Sequence, residues 1–171
     1  MTREQSLLIV GGGEVADALT SIADTLGWAP TVVDTLEDTV ASLPAVDSVV
    51  VLSHHDDVDG PAVAAALESG TSYIGAMGSR KTQDRRREWM LAHGVTEDQL
   101  ARVHTPVGLD IGANSPAEIA LSIAAEMVAV RRGVQGGSLK NRPGPIHPDL
   151  APGTAECPAA PAAAHSTHQS C

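Results

Sequence analysis

The stretch Leu7-Leu8-Ile9-Val10-Gly11-Gly12-Gly13-Glu14-Val15-Ala16 decides the fold. Four aliphatic residues predict a buried strand, Gly-x-Gly-x-x-Ala a tight turn, and the residues from Glu14 onward a helix. In such a turn the first glycine permits the sharp bend. The second lets backbone approach a pyrophosphate, and Ala16 lets the helix pack closely on the strand. A phosphate would then meet free N–H groups at the positive end of the helix. Asp34 stands 21 residues after Gly13, at the expected end of a second strand. A carboxylate there accepts hydrogen bonds from a ribose diol and repels a 2′-phosphate, which favours NAD-like over NADP-like ligands. A Rossmann scaffold without a ligand has the same pattern, and Glu14 places a carboxylate beside the phosphate slot.

Outward from this stretch, β-rich runs at Ser6–Val10, Thr31–Asp34, Ser48–Ser53, Ser72–Met77 and Ala101–His104 alternate with helical patterns. That alternation predicts βαβ units in a three-layer Rossmann-type α/β fold with a five-stranded parallel sheet, order 3-2-1-4-5. Helix signals are specific. Gly27 ends the first helix, Pro61 and Gly70 bracket the next, and Ser79 caps a basic helix running to about Gly94. Thr96 to Gln99 and Ser115 to Glu118 have capping-box form, and Arg131-Arg132-Gly133 closes the last helix. Residues 1–134 are expected to form the domain. Residues 135–171, broken by Gly136, Gly137 and repeated prolines, read as a disordered low-complexity Pro/Ala/Gly-rich tail.

Composition narrows the function. The chain has no Phe, one Tyr and two Trp among 171 residues, so the core must be aliphatic and stacking platforms for single-stranded nucleic acid are absent. Its formal charge of −10 excludes a general nucleic-acid binder. The bases are nonetheless clustered: Arg80, Lys81, Arg85, Arg86 and Arg87 are five of the eleven. Both cysteines, Cys157 and Cys171, lie in the tail. No apolar run approaches the roughly 20 residues of a membrane span, and the N-terminus shows no secretory signal, so the expectation is a cytoplasmic protein.

Three further loops carry candidate chemistry. Ser53-His54-His55-Asp56-Asp57-Val58-Asp59 follows the third strand, where α/β sheets place ligand contacts. Its polar residues suit acid–base work or a metal, or simply a loop in which Asp59 caps the next helix; adjacent His54 and His55 should point apart. Gly75-Ala76-Met77-Gly78-Ser79-Arg80-Lys81 is a second glycine-rich turn, with Arg80 placed to bind an anion. In the expected strand order the two glycine turns face across one crevice. Pro106 to Ala113 forms a further wall, in which Asp110 is either a ligand contact or a turn former. No Tyr-x-x-x-Lys pair and no cysteine or Gly-x-Ser-x-Gly nucleophile is present. Catalytic and metal assignments are therefore none. The residues assigned to ligand binding are Gly11, Gly13, Asp34, Ser53, His54, Gly75, Gly78, Ser79, Arg80 and Asp110.

Taken together, Leu52-Ser53-His54…Asp59-x-Pro61, Tyr73-Ile74-Gly75-x-x-Gly78-Ser79-Arg80 and Pro106-Val107-Gly108-Leu109-Asp110-Ile111-Gly112-Ala113…Pro116-x-Glu118-Ile119-Ala120 closely resemble the C-terminal Rossmann domain of the XdhC/CoxI family. The resemblance runs from about Leu7 to Gly133. It implies a maturation factor that binds molybdenum cofactor (molybdopterin), assists its sulfuration, and delivers it to xanthine- or carbon-monoxide-dehydrogenase-type apo-enzymes. Two departures stand out. His55 occupies the place where the family carries an acid, and the family's N-terminal domain with its Gly-Gly-Cys motif is absent. A separate protein is then expected to supply that domain, and a homodimer is left open. The alternatives are an NAD-dependent oxidoreductase and a non-enzymatic dinucleotide-sensing module.

Overall fold

The protein is described by a computed structural model covering residues 5–146. Strands β1 (Ser6–Val10), β2 (Ala29–Val33), β3 (Ser48–Val51), β4 (Tyr73–Ala76) and β5 (Val103–His104) form one parallel sheet. Helices α1 (Glu14–Thr25), α2 (Leu36–Ser42), α3 (Asp59–Ser69), α4 (Arg80–Ala92), α5 (Glu97–Leu100) and α6 (Pro116–Arg131) connect and cover it. The Rossmann-type class is as expected, but the strand order is 2-1-3-4-5 rather than 3-2-1-4-5. Burial explains the difference. All four residues of β3 are buried, which demands neighbours on both sides, whereas β2 is largely exposed and lies at an edge. Pro30 is consistent with that edge. Ala29 donates to Gln5 and Val33 accepts from Gly11, so strand alternation turns position 30 away from β1, where a missing N–H costs no ladder bond.

Each face of the sheet has its own aliphatic core. On one, Leu8, Val10, Val49, Val51 and Ile74 pack under Val63 and Leu67 of α3 and Met90 of α4. On the other, Leu7, Ile9 and Val50 pack under Leu19 of α1 and Ile123 and Met127 of α6. Each such side chain contributes roughly 1.5–3 kcal/mol when fully buried, so the missing aromatics are no handicap.

Local signals place the helices. Ser79 accepts from the Thr82 N–H, and both expected capping boxes form, at Thr96/Gln99 and Ser115/Glu118. Backbone N–H groups of Ser115 and Asn114 hold the Glu118 carboxyl below the ordinary glutamate range. Helix α2 has no counterpart among the predicted helices, although Thr35 caps it by accepting from the Asp38 N–H at 3.1 Å. The chain divides into two units between Gly136 and Gly137. Of the second, residues 137–146 are exposed, with a single 3-10 turn at Leu139–Asn141. The expectations for residues 147–171, including Cys157 and Cys171, fall outside the described residues. Among the described residues no helix is long and apolar enough to cross a membrane.

Candidate functional site

A parallel sheet delivers every strand's C-terminal end to one edge. The loops after β1, β2, β3, β4 and β5 therefore share that edge, and every predicted site residue lies in one of them except Gly75, inside β4, and Arg80, the first residue of α4. Because β2 and β3 flank β1 on opposite sides, the crevice opens at the heads of β1 and β3. A cavity of about 210 Å³ occupies that point, lined by Gly11, Gly12, Asp34, Ser53, His54 and His55.

The three glycines of the first turn have different duties. Gly11 has φ +104°, and a Cβ there would lie 2.6 Å from the Ser53 backbone nitrogen. It lets the head of β3 pass close by, while its own N–H bonds the Val33 carbonyl at 2.8 Å. A Cβ at Gly12 would come within 3.3 Å of Asp34 Oδ1, so the Asp34 carboxylate stands directly beside the loop. Gly13, at φ +111° with open space around it, caps α1 without a side-chain bond, leaving first-turn N–H groups free.

Around this turn the charge is negative. Glu14 and Asp17 occupy the first turn of α1, Asp34 faces the cavity, and among the described residues no Lys or Arg lines it. The carboxylates already answer the positive helix end, which weakens it as a phosphate site. No hydrogen bond or ion pair within the described residues engages Asp34. Ser53 is buried, and its hydroxyl accepts from the His55 N–H at 3.2 Å, shaping the loop. His54 and His55 do not point apart as expected. Their rings stack with centroids 4.6 Å apart and planes 28° from parallel, and both line the cavity.

The second glycine turn stands apart. Strand β3 lies between β1 and β4, so the two turns are separated by two strand spacings, about 9.5 Å. The expectation that they face each other directly is thereby corrected. Gly78, at φ +149°, packs against Thr82, and the Ser79 hydroxyl is committed to capping α4. Arg80 is exposed and makes no ion pair or hydrogen bond within the described residues. Gly75 sits inside β4, where Val107 would lie 2.5 Å from an added Cβ. Asp110 is exposed on the β5–α6 loop. None of these residues lines the β1/β3 cavity.

The sequence reading missed the hub of this edge, Arg86. It places Arg86 on a basic helix and gives it no role, yet the Arg86 side chain is only 1% exposed. Its Nε donates to Asp59 Oδ1 at 2.7 Å, Nη1 to the Thr105 hydroxyl at 3.1 Å, and Nη2 to the Met77 carbonyl at 2.6 Å. One guanidinium thus ties together the loops after β3, β4 and β5. Asp59 is not a cap, since α3 begins at it behind Val58 with no side-chain bond to the backbone. Burial pushes its carboxyl above the ordinary aspartate value, opposed by Arg86 and Arg85. The available signal was spacing: Arg86 precedes Met90 by four, on the inward face of a helix with few apolar residues.

A larger cavity, about 370 Å³, lies at the opposite edge of the sheet, lined in part by Gln5, Ser48, Tyr73, Met127 and Arg131. There the Tyr73 hydroxyl donates to Glu126 at 2.6 Å, and burial together with that carboxylate pushes its ionisation far up. Among the described residues no group of three or more His, Cys, Asp or Glu side chains is arranged to hold a metal.

Comparison with known proteins identifies the family of this domain. Residues 7–127 match the family model described as the XdhC Rossmann domain. Over 126 residues the chain is 29% identical to the molybdenum cofactor insertion chaperone PaoD of Escherichia coli K12, covering 73% of this chain and 40% of the relative. Over 88 residues it is 34% identical to a probable xanthine dehydrogenase component of Bacillus subtilis 168, covering 52% and 24%. A crystal structure described as a xanthine dehydrogenase from Bacillus halodurans superposes with a TM-score of 0.62 at 25% identity, covering 82% of this chain and 45% of that one. The chain spans less than half the length of each of these proteins.

Proposed function

The chain belongs to the XdhC family through its Rossmann domain, and from that premise we propose that it is a carrier in molybdoenzyme maturation, holding molybdenum cofactor at the C-terminal edge of its sheet. The observation that carries this reading is the cavity at the heads of β1 and β3, bounded by Gly11, Gly12, Asp34, Ser53 and His54. The name of the PaoD relative supplies the cargo. The heads of β3 and β4 lie about 5 Å apart, so a cofactor seated in the cavity reaches the exposed Arg80 with its anionic end. Ser53, His54 and Asp34 then line the other part. Gly75 and Gly78 act by permitting close packing, and Asp110 borders the same edge.

The role follows from storage chemistry. A carrier must hold its cargo and release it, and each 1.4 kcal/mol of added grip slows release about tenfold. A site with an exposed guanidinium and open walls suits that compromise. The cargo's recipient is an apo-molybdoenzyme of the xanthine or carbon monoxide dehydrogenase type. A second reading, a bound NAD-type dinucleotide, is favoured by the Asp34 carboxylate beside Gly12.

Binding measured by calorimetry on the purified chain separates the two. Molybdenum cofactor binds, and Arg80→Ala weakens it by about 1–3 kcal/mol, as for loss of a charge-assisted hydrogen bond. The thermal midpoint of the unliganded variant is unchanged, because Arg80 has no partner to lose among the described residues. NADH incubated with small carbonyl compounds is not consumed. Steady NADH oxidation that disappears in His54→Ala would establish the oxidoreductase instead.

A further inference from the structure

We infer that the β1/β3 cavity recognises a flat aminopyrimidinone ring, the edge shared by pterins and guanine, with Asp34 accepting from its adjacent N–H donors. This rests on the carrier reading and names which part of the cargo enters the cavity. Three features argue for a neutral, donor-rich, planar occupant over a phosphate. Among the described residues no Lys or Arg lines the cavity, and Glu14 and Asp17 stand at the start of α1. The Asp34 carboxylate faces the cavity without a partner among those residues, so it gains most from a ligand that brings two parallel N–H groups, which a carboxylate accepts as a charge-assisted pair. Finally, His54 and His55 form a ready-made stack at the cavity wall, 4.6 Å between centroids, which a further flat ring continues.

Size agrees. About 210 Å³ accommodates one bicyclic heterocycle but not an entire dinucleotide, so the remainder of a larger ligand must lie along the open edge toward Arg80. The competing occupant is a ribose, whose diol also donates twice to a carboxylate. It makes no use of the stacked imidazoles.

Guanosine and inosine separate these two occupants, because they carry the same ribose and differ only in the exocyclic amine. Calorimetry with guanosine, inosine, adenosine and free pterin is expected to show guanosine and pterin binding about tenfold or more tighter than inosine and adenosine. Asp34→Asn, at a side chain with no partner among the described residues, is expected to abolish that preference without moving the thermal midpoint. Paired replacement of His54 and His55 by Ala is expected to weaken guanosine and pterin alike. Equal binding of the three nucleosides, no binding by any, or a preference that survives Asp34→Asn overturns the inference. Molybdenum cofactor is measured on the same proteins. Cofactor binding unaffected by Asp34→Asn overturns the inference alone, whereas a guanosine preference with no cofactor binding overturns the carrier reading alone.

Discussion

Replacing Arg86 by Met will lower the free energy of unfolding by about 3–5 kcal/mol, because it leaves Asp59 buried without its counter-ion. The methionine fills much of the volume of the Arg stem, so the loss is electrostatic and hydrogen-bonding rather than steric. The Thr105 hydroxyl and the Met77 carbonyl lose their donor in the same step. Urea denaturation reads the effect directly. Adding Asp59→Asn to Arg86→Met should recover part of the loss, since no unpaired charge then remains. The pH dependence has a definite sign. The Asp59 carboxyl titrates above 3.8 in the folded chain, and loss of Arg86 raises it further. A raised carboxyl favours folding most below that value and loses its contribution as pH rises through the folded pKa. The deficit of Arg86→Met therefore grows from acid toward neutral pH. A cost under about 1 kcal/mol, flat with pH, would mean that water reaches this pair and that it does not join the three loops.

Gly11→Ala should cost about 3 kcal/mol or more, combining a φ of +104° with a methyl placed 2.6 Å from the Ser53 backbone nitrogen. Gly13→Ala shares the strained φ but meets nothing within 4 Å, so it should cost only the backbone part, about 1–3 kcal/mol. Thermal or urea unfolding of the two variants side by side isolates the contact with β3. Equal costs would show that the β3 head yields to a methyl, and that Gly11 does not set the cavity wall.

Much of the framework was legible because it is encoded locally. The Gly11-x-Gly13 turn, the Ser115 and Thr96 caps and the αL glycine at Gly70 are short-range features, and each appears where its residues predict it. Strand neighbours are a long-range property. Runs such as Ser48–Ser53 and Thr31–Asp34 are both short and apolar, and their spacing is compatible with either order. The discriminating residue was Pro30, which belongs on an edge; the strand was expected to start after it, so its meaning was lost. Helix α2 is short, with few apolar residues to set a period. Within the site, the loop residues Gly11, Asp34, Ser53 and His54 converge as the topology of such sheets requires. Arg86 escaped for the opposite reason: its burial depends on Asp59, 27 residues away, and on Thr105, 19 residues on. The stacking of His54 on His55 likewise depends on the loop conformation that Ser53 fixes.

The central claim is that the cargo sits at the C-terminal edge of the sheet, and amide hydrogen exchange with and without molybdenum cofactor tests it most directly. The predicted result is slower exchange at the first-turn amides of α1 after Gly13, in the Ser53–Asp56 loop and at the start of α4 near Arg80. Amides around Ser48, Tyr73 and Arg131, beside the larger cavity at the opposite edge, should be unchanged. Slowing confined to that opposite edge, or no slowing anywhere at saturating cofactor, would contradict the account.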